Sequence, residues 1–432
     1  MHIAGTVIHA PSRGELEVID DACVSVNREG VIESVTQGEA PTDALTLAPG
    51  TFLLPGLIDC HVHAPQWPQM GTAYDLPLNE WLQQCTFPME AKYSDLDFAA
   101  ASYSSLIDTL LENGTTTATY YGSIHVAATQ LLADIAKEKG QRAYIGKVAM
   151  DNPDQCPDFY RDASTTAAID GTRQLVEYIR SLGTDRVQPV ITPRFIPSCT
   201  DDALAEFGRM ASEYDCHVQT HCSESDWQHH YVLERHGLKD TQSLDRFGLL
   251  TDKTVLAHGV LIDDEDMTTI RSSHSGIAHC PLSNLYFSNA VFPARRALDR
   301  QLKVGLGTDI AGGASASVLD NAAMAINMSR ALEEGVDATA AQVSRGVDDT
   351  RIDFRDAFWM ATAGGAEVLG LNAGTFAPGN VFDAIVLDTT VAASDLRVWG
   401  DDSAEDVLQK AIYGANQNNI ATVWVQGEKV KG

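Results

Sequence analysis

Apolar positions along this 432-residue chain change their spacing twice. In residues 1–55 they come in short stretches: Ile3–Ala10, Ala22–Asn27 and Val31–Val35 read as strands, and Arg28-Glu29-Gly30 supplies a tight turn between the last two. After Pro55-Gly56, strand-like runs alternate with amphipathic segments at helical spacing, the pattern of parallel βα units. Strand starts fall at residues 57, 115, 143, 187, 217, 254, 276 and 303. The intervening spacing predicts helices over about 94–113 (Ser94 as cap, Gly114 as stop), 126–139, 165–181, 200–214, 263–273, 317–334 and 354–365. Eight such units predict a (β/α)8 barrel over residues 56–370, whose chemistry belongs at the C-terminal strand ends. From Gly374 the strand character returns, in Phe382–Leu387, Thr422–Gln426 and around Val430. Segments 1–55 and 371–432 are therefore expected to fold together into a small β-sandwich beside the barrel.

The strand ends carry an unusual share of the histidines. Leu57-Ile58 reads as a buried strand that ends in His61-Val62-His63. Side chains alternate across a strand, so His61 and His63 point to one side, where two imidazoles can grip one metal ion. A lone His-x-His is more often structural, but three other strand ends supply matching parts. Of the thirteen histidines, His61, His63, His221, His258 and His279 fall at strand ends, and the other eight read as surface or structural. His221 and Asp309 complete a four-ligand set with His61 and His63. Imidazole and carboxylate ligands suit Zn²⁺ or Fe²⁺, at about 2.0–2.2 Å for zinc. An open coordination position then holds water, with a pKa that falls to about 7 on zinc. A carboxylate at Asp309 touching both metal and water can take the water's proton; the competing reading is a turn or cap aspartate. Glu224, three residues after His221, reaches the substrate rather than the metal and is a candidate proton shuttle. A solvated loop glutamate is the rival reading there. His258 has no place in a four-ligand set and could orient the attacking oxygen.

Charge and composition narrow the partners. With 30 basic and 59 acidic residues the formal net charge is −29, which disfavours nucleic acid and anionic membrane as partners and mildly favours a neutral small molecule. No apolar run has the length of a transmembrane helix. The Met1-His2-Ile3-Ala4-Gly5 start has no basic stretch leading into an apolar segment, so no signal peptide is expected. The eight cysteines include no Cys-x-x-Cys pair and are expected to be free thiols in a reducing cytoplasm.

Longer motifs extend this picture: Pro55-Gly56-Leu57-Ile58-Asp59-Cys60-His61-Val62-His63-Ala64-Pro65-Gln66, Asp75-Leu76-Pro77-Leu78-Asn79-Glu80-Trp81-Leu82 and Thr86-Phe87-Pro88-Met89-Glu90. They are followed by Thr192-Pro193-Arg194-Phe195, His221-Cys222-Ser223-Glu224, Ala257-His258-Gly259, Ala278-His279-Cys280-Pro281-Leu282-Ser283-Asn284 and Gly307-Thr308-Asp309-Ile310-Ala311-Gly312-Gly313. Together they resemble the amidohydrolase superfamily and, within it, the aminohydrolases that act on guanine. The resemblance implies zinc ligation by His61, His63, His221 and Asp309, with Glu224, Asp309 and His258 catalytic. It implies that Gln66 and Arg194 hydrogen-bond a purine, that Phe195 packs on it, and that Leu78 and Trp81 line the pocket. The chemistry agrees: guanine offers a carbonyl and ring nitrogens in one plane, suited to a guanidinium fork and an amide, and an aromatic ring offers a stacking face. Binuclear relatives carry a lysine at the fourth strand's end; Thr192-Pro193-Arg194-Phe195 has none, so one metal is expected. The implied reaction is hydrolytic deamination of guanine to xanthine and ammonia, in purine catabolism or salvage, by a cytoplasmic homodimer. The same chemistry on 8-oxoguanine, a pterin or an s-triazine is the alternative, and a silent scaffold barrel is disfavoured because every ligand is present. One departure is Pro65, where a small polar residue is expected; it restrains the backbone beside Gln66.

Overall fold

In a computed structural model describing residues 1–288 and 290–432, the eight strand starts open eight parallel strands. They are Leu57–His63, Thr115–Tyr121, Arg142–Gly146, Val187–Pro193, His217–Cys222, Thr254–His258, Gly276–His279 and Lys303–Leu306, hydrogen-bonded in chain order. Past the eighth strand, the Asp309 N–H donates to His61 O at 2.9 Å and the His63 N–H to Ile310 O at 2.8 Å, stitching the end of the barrel to its beginning. The strands are almost wholly buried, because helices cover them outside and their inward side chains fill the interior. The third strand breaks at Lys147 and resumes over Val148–Ala149. The buried Lys147 ammonium donates to Asp162 at 2.7 Å and to Val148 O at 3.0 Å, tying down the loop that follows.

The helices follow the predicted spacing with instructive exceptions. The first long helix is Leu96–Glu112, and its cap is Asp95 rather than Ser94: the Asp95 carboxylate accepts from the Asp97 and Phe98 N–H groups. The single helix expected over 354–365 is two, Phe354–Ala361 and Ala363–Leu369, separated where Thr362 leaves helical dihedrals (φ −131°, ψ −96°). The break lets the second piece lie across the barrel floor, where a Cβ on Gly365 would sit 2.9 Å from the Ile58 side chain. Helix Ala404–Gly414 was not anticipated, although Ser403 and Asp406 form a capping box and Val407, Leu408, Ala411 and Ile412 make a helical apolar face.

The two chain ends share one eight-stranded sheet. Thr51–Pro55 lies at its centre, antiparallel to Ala384–Asp388 on one side and parallel to His2–His9 on the other. It then runs through Gly56 straight into the first barrel strand. A separate small core of Ile3, Val7, Val24, Phe376, Phe382 and Trp424 holds this lobe. All eight cysteines are free and seven are buried. No helix among the described residues is long and apolar enough to cross a membrane.

Candidate active site

The first strand delivers His61 and His63 to the barrel mouth, the fifth delivers His221, the sixth His258, and the turn after the eighth Asp309. All five are buried. The His61 Nε2 lies 3.1 Å from Asp309 Oδ1, the His63 Nε2 lies 3.6 Å from the same oxygen, and the Nε2 atoms of His63 and His221 are 2.9 Å apart. Asp59, to which the sequence reading gave no role, locks the two ends of the barrel together. It accepts from the His61 N–H (3.2 Å), the Thr308 N–H (2.9 Å) and the Thr308 hydroxyl (2.5 Å). Burial pushes the Asp59 carboxyl up to about 7 against the pull of those Thr308 hydrogen bonds. The approach is close enough that a Cβ on Gly307 would meet His61 Cβ at 2.8 Å. Three strand-end residues hold left-handed backbone, Ser223 (φ +49°), His258 (φ +73°) and Asp309 (φ +50°), at a cost of roughly 1–3 kcal/mol each.

The donor set fits a metal ion. Burial holds His61, His63 and His221 well below the usual imidazole pKa, so their nitrogens keep lone pairs at neutral pH. The His61 Nδ1 and Nε2, the His63 Nδ1 and the His258 Nε2 are buried without a hydrogen-bond partner among the described residues, an arrangement native interiors otherwise avoid. Ligand atoms of a tetrahedral ion at 2.0–2.1 Å lie about 3.3 Å apart, and the observed 2.9, 3.1 and 3.6 Å bracket that spacing. The His221 Nδ1 pairs with Arg194 O at 2.6 Å, which leaves Nε2 free for ligation. Among the described residues two triads satisfy ligand spacing, His61-His63-Asp309 and His61-His221-His258, so His258 also stands within ligating reach. Its Nδ1 pairs with Asn284 Oδ1 (2.9 Å), and its Nε2 faces Glu224 Oε1 (3.6 Å) and Asp309 Oδ2 (3.9 Å). Burial raises the Glu224 carboxyl well above the usual range, and the Asp309 charge adds to the rise while Arg194 opposes it. Asp309 is also raised by burial, with His258 pulling the other way.

Beside this cluster lies a narrow cavity. Gln66, Leu78, Trp81, Arg194, Phe195 and Glu224 all line it, together with His63, His221 and Asp309, so every residue expected to touch substrate arrives there. Leu82, Phe287 and Gly312 line it too and were not anticipated. The cover is the excursion between the first strand and the first long helix, with short helical turns at Ala64–Gln69, Leu78–Trp81, Leu82–Thr86 and Phe87–Ala91. Pro65 occupies the first turn of Ala64–Gln69, where its ring suits the backbone and no N–H is needed, so it places Gln66 rather than displacing it. Trp81 is held by its indole N–H on Thr72 O (3.1 Å) and by Phe287, 4.8 Å away. The Phe195 ring lies 6.2 Å from His221 and 5.7 Å from Trp227. His279 packs on Phe292 at 4.9 Å, and its carbonyl accepts from the Gly307 N–H at 2.9 Å. A larger open groove of about 600 Å³, lined by Arg271, His274, Arg300 and Lys303, brings none of these residues together.

The other feature not foreseen is Glu90. Both Arg194 terminal nitrogens donate to its carboxylate, at 2.8 and 3.1 Å, and the Gln66 amide donates to it at 2.8 Å. The Phe87 ring lies 5.2 Å under the guanidinium. Burial pulls the Arg194 pKa down, but the Glu90 charge and hydrogen bonds carry it above the usual value. An acid inside the apolar run Thr86-Phe87-Pro88-Met89-Glu90 was the available signal.

The profile described as "Amidohydrolase family" matches residues 52–430. Guanine deaminase of Dictyostelium discoideum is 34% identical over 450 residues, spanning 99% of this chain and 97% of that protein. Guanine deaminase of Homo sapiens is 36% identical over 445 residues, spanning 99% of this chain and 95% of that protein. A crystal structure of guanine deaminase from C. acetobutylicum with guanine bound in its active site matches with a TM-score of 0.91 at 28% identity, over 99% of both chains.

Proposed function

The chain belongs to the amidohydrolase family and is a hydrolase acting on C–N bonds, and on that footing we propose that it deaminates guanine to xanthine and ammonia with one bound zinc ion. The reading is carried by the convergence, on one cavity, of the His/Asp cluster, the buried Glu224 and the planar hydrogen-bonding groups of Gln66 and Arg194. Full-length relatives named for that reaction support it.

His61, His63, His221 and Asp309 would hold the ion. Zinc, when bound, supplies Lewis acidity that lowers the pKa of a water towards about 7 and offsets the charge developing on oxygen. Asp309 Oδ1 lies by the histidines, which leaves Oδ2, on the His258 side, to take the proton of the attacking water. His258 steadies that oxygen through Nε2, since Nδ1 is committed to Asn284. The water oxygen bonds to C2 of guanine. Glu224, whose carboxyl burial raises well above the usual range, gives its proton to the adjacent ring nitrogen, making C2 tetrahedral. Asp309 passes the water's proton to the amino group, the C2–N bond breaks and ammonia leaves, and the hydroxyl on C2 returns a proton to Glu224 as C2 becomes the second carbonyl of xanthine. Gln66 and Arg194 fix the ring by its polar edge, Phe195 packs against it, and Leu78 and Trp81 keep solvent out. On resemblance alone, we propose that the working form is a cytoplasmic homodimer; light scattering of the purified protein tests the assembly.

The test is to mix zinc-loaded protein with guanine and follow the ultraviolet change together with ammonia release. Equal amounts of xanthine and ammonia, abolished by a chelator, are expected. Stoichiometric zinc with no guanine turnover would overturn the substrate and point to another amino-substituted ring.

A further inference from the structure

Glu90 is fully buried, does not line the cavity and carries no role in the chemistry above. It nevertheless contacts both groups assigned to reading the ring. Its Oε1 accepts from Gln66 Nε2 (2.8 Å) and from one Arg194 nitrogen (3.1 Å), and its Oε2 accepts from the other (2.8 Å). An ionised carboxylate only accepts, so the end of Gln66 facing it must be the NH₂. The opposite end agrees, because the Ala311 N–H donates to Gln66 Oε1 at 3.2 Å. An amide that is ordinarily ambiguous by rotation is thereby fixed in one sense. The guanidinium is fixed as well, clamped edge-on by Glu90 and supported on its face by Phe87.

The pair also sets the charge. An unpaired buried guanidinium would attract an anionic ring. Joined to Glu90, it contributes donors without net charge, while Glu224 and Asp309 line the same cavity. Resting on the guanine reading above, we infer that Glu90 is a positioning residue with two effects: it aims Arg194 and Gln66 at the substrate, and it makes the pocket prefer an uncharged ring over an anionic one. A buried ion pair that merely staples the cover to the fourth strand would have the first contact list but not the second property.

The test uses the zinc-loaded full chain as wild type, Glu90→Gln and Glu90→Asp. Guanine kinetics are measured alongside binding of hypoxanthine, a neutral purine, and urate, a purine anion at neutral pH. In Glu90→Gln, one arm of the new amide opposes an Arg194 donor, so the guanidinium turns and keeps its charge. The expected result is a guanine KM raised ~100-fold with kcat within ~3-fold, and urate binding tightened ~10-fold relative to hypoxanthine. Glu90→Asp keeps the charge but loses reach, so KM rises while the urate-to-hypoxanthine ratio stays at the wild-type value. An unchanged KM and unchanged ratio in a zinc-loaded Glu90→Gln, even one that melts earlier, would reduce Glu90 to a structural pair. If that variant does not fold, an unchanged KM in Glu90→Asp overturns the inference equally. Failure of the wild type to turn over guanine would refute the guanine reading instead, and the binding ratios would still decide the charge preference.

Discussion

Replacing Glu224 by Gln removes one transferable proton and little else. The side chains are isosteric, and among the described residues Glu224 makes no ion pair closer than 3.6 Å, to the His258 Nε2. A positioned acid–base group contributes ~10²–10⁴-fold to rate. At about 1.4 kcal/mol per decade, the variant should lose about 3–5 kcal/mol of transition-state stabilisation. The group acts in the chemical step, so kcat and kcat/KM should fall together while KM stays near wild type. Stability should move the other way. Burial raises the folded pKa above the unfolded one, so this group's stabilising contribution is complete below the unfolded pKa and is lost as pH rises through the folded value. Glutamine does not suffer that loss, and the variant should melt no lower than wild type at neutral pH. The assay is steady-state guanine turnover with zinc content and melting temperature measured on the same samples. A rate within tenfold of wild type would refute the proton-shuttle assignment. A large loss accompanied by missing zinc would show that Glu224 serves the metal instead.

Three further outcomes follow from the same geometry. Arg194→Met should raise the guanine KM steeply and, by leaving Glu90 buried and unpaired, lower stability by about 3–5 kcal/mol in urea titration; Arg194→Met with Glu90→Met should recover most of the stability and none of the affinity. Chelation should abolish turnover and lower the melting temperature, and zinc should restore both, because an ion that binds only the folded state at 1,000 times its Kd adds about 4 kcal/mol. Asp240, which accepts from the Gln228 side chain at 2.6 Å, is raised by burial from 3.8 to about 6. Its stabilising contribution is therefore complete below about pH 4 and lost towards pH 6, and the stability difference between Asp240→Asn and wild type should grow by about 3 kcal/mol between pH 4 and 7 in denaturant titrations.

Much of the site was legible because its parts are local. His61 and His63 share a face by strand alternation alone, and His221, His258 and Asp309 each sit where an apolar run ends. The cap at Asp95 was missed by one residue because Ser94 and Asp95 are both good caps, and only the turn geometry chooses between them. The break at Thr362 was missed because Ala361, Ala363 and their neighbours keep a helical pattern straight through it. The break serves packing of Gly365 on Ile58, a partner some 300 residues away in sequence.

What the sequence determined by itself is therefore the set of short-range facts: eight strands, their inward faces and the chemical types at their ends. Tertiary structure alone decided which of those ends meet at 2.9–3.6 Å, that Asp59 bolts the first strand to Thr308, and that Phe287 lines the cavity. It also decided that Glu90 pairs with Arg194 across 104 residues of chain. The physical reason is range. Periodicity and capping act over one or two turns of chain. The pairing of buried charges depends on barrel closure, which brings distant segments together and excludes the water that would otherwise satisfy each of them separately.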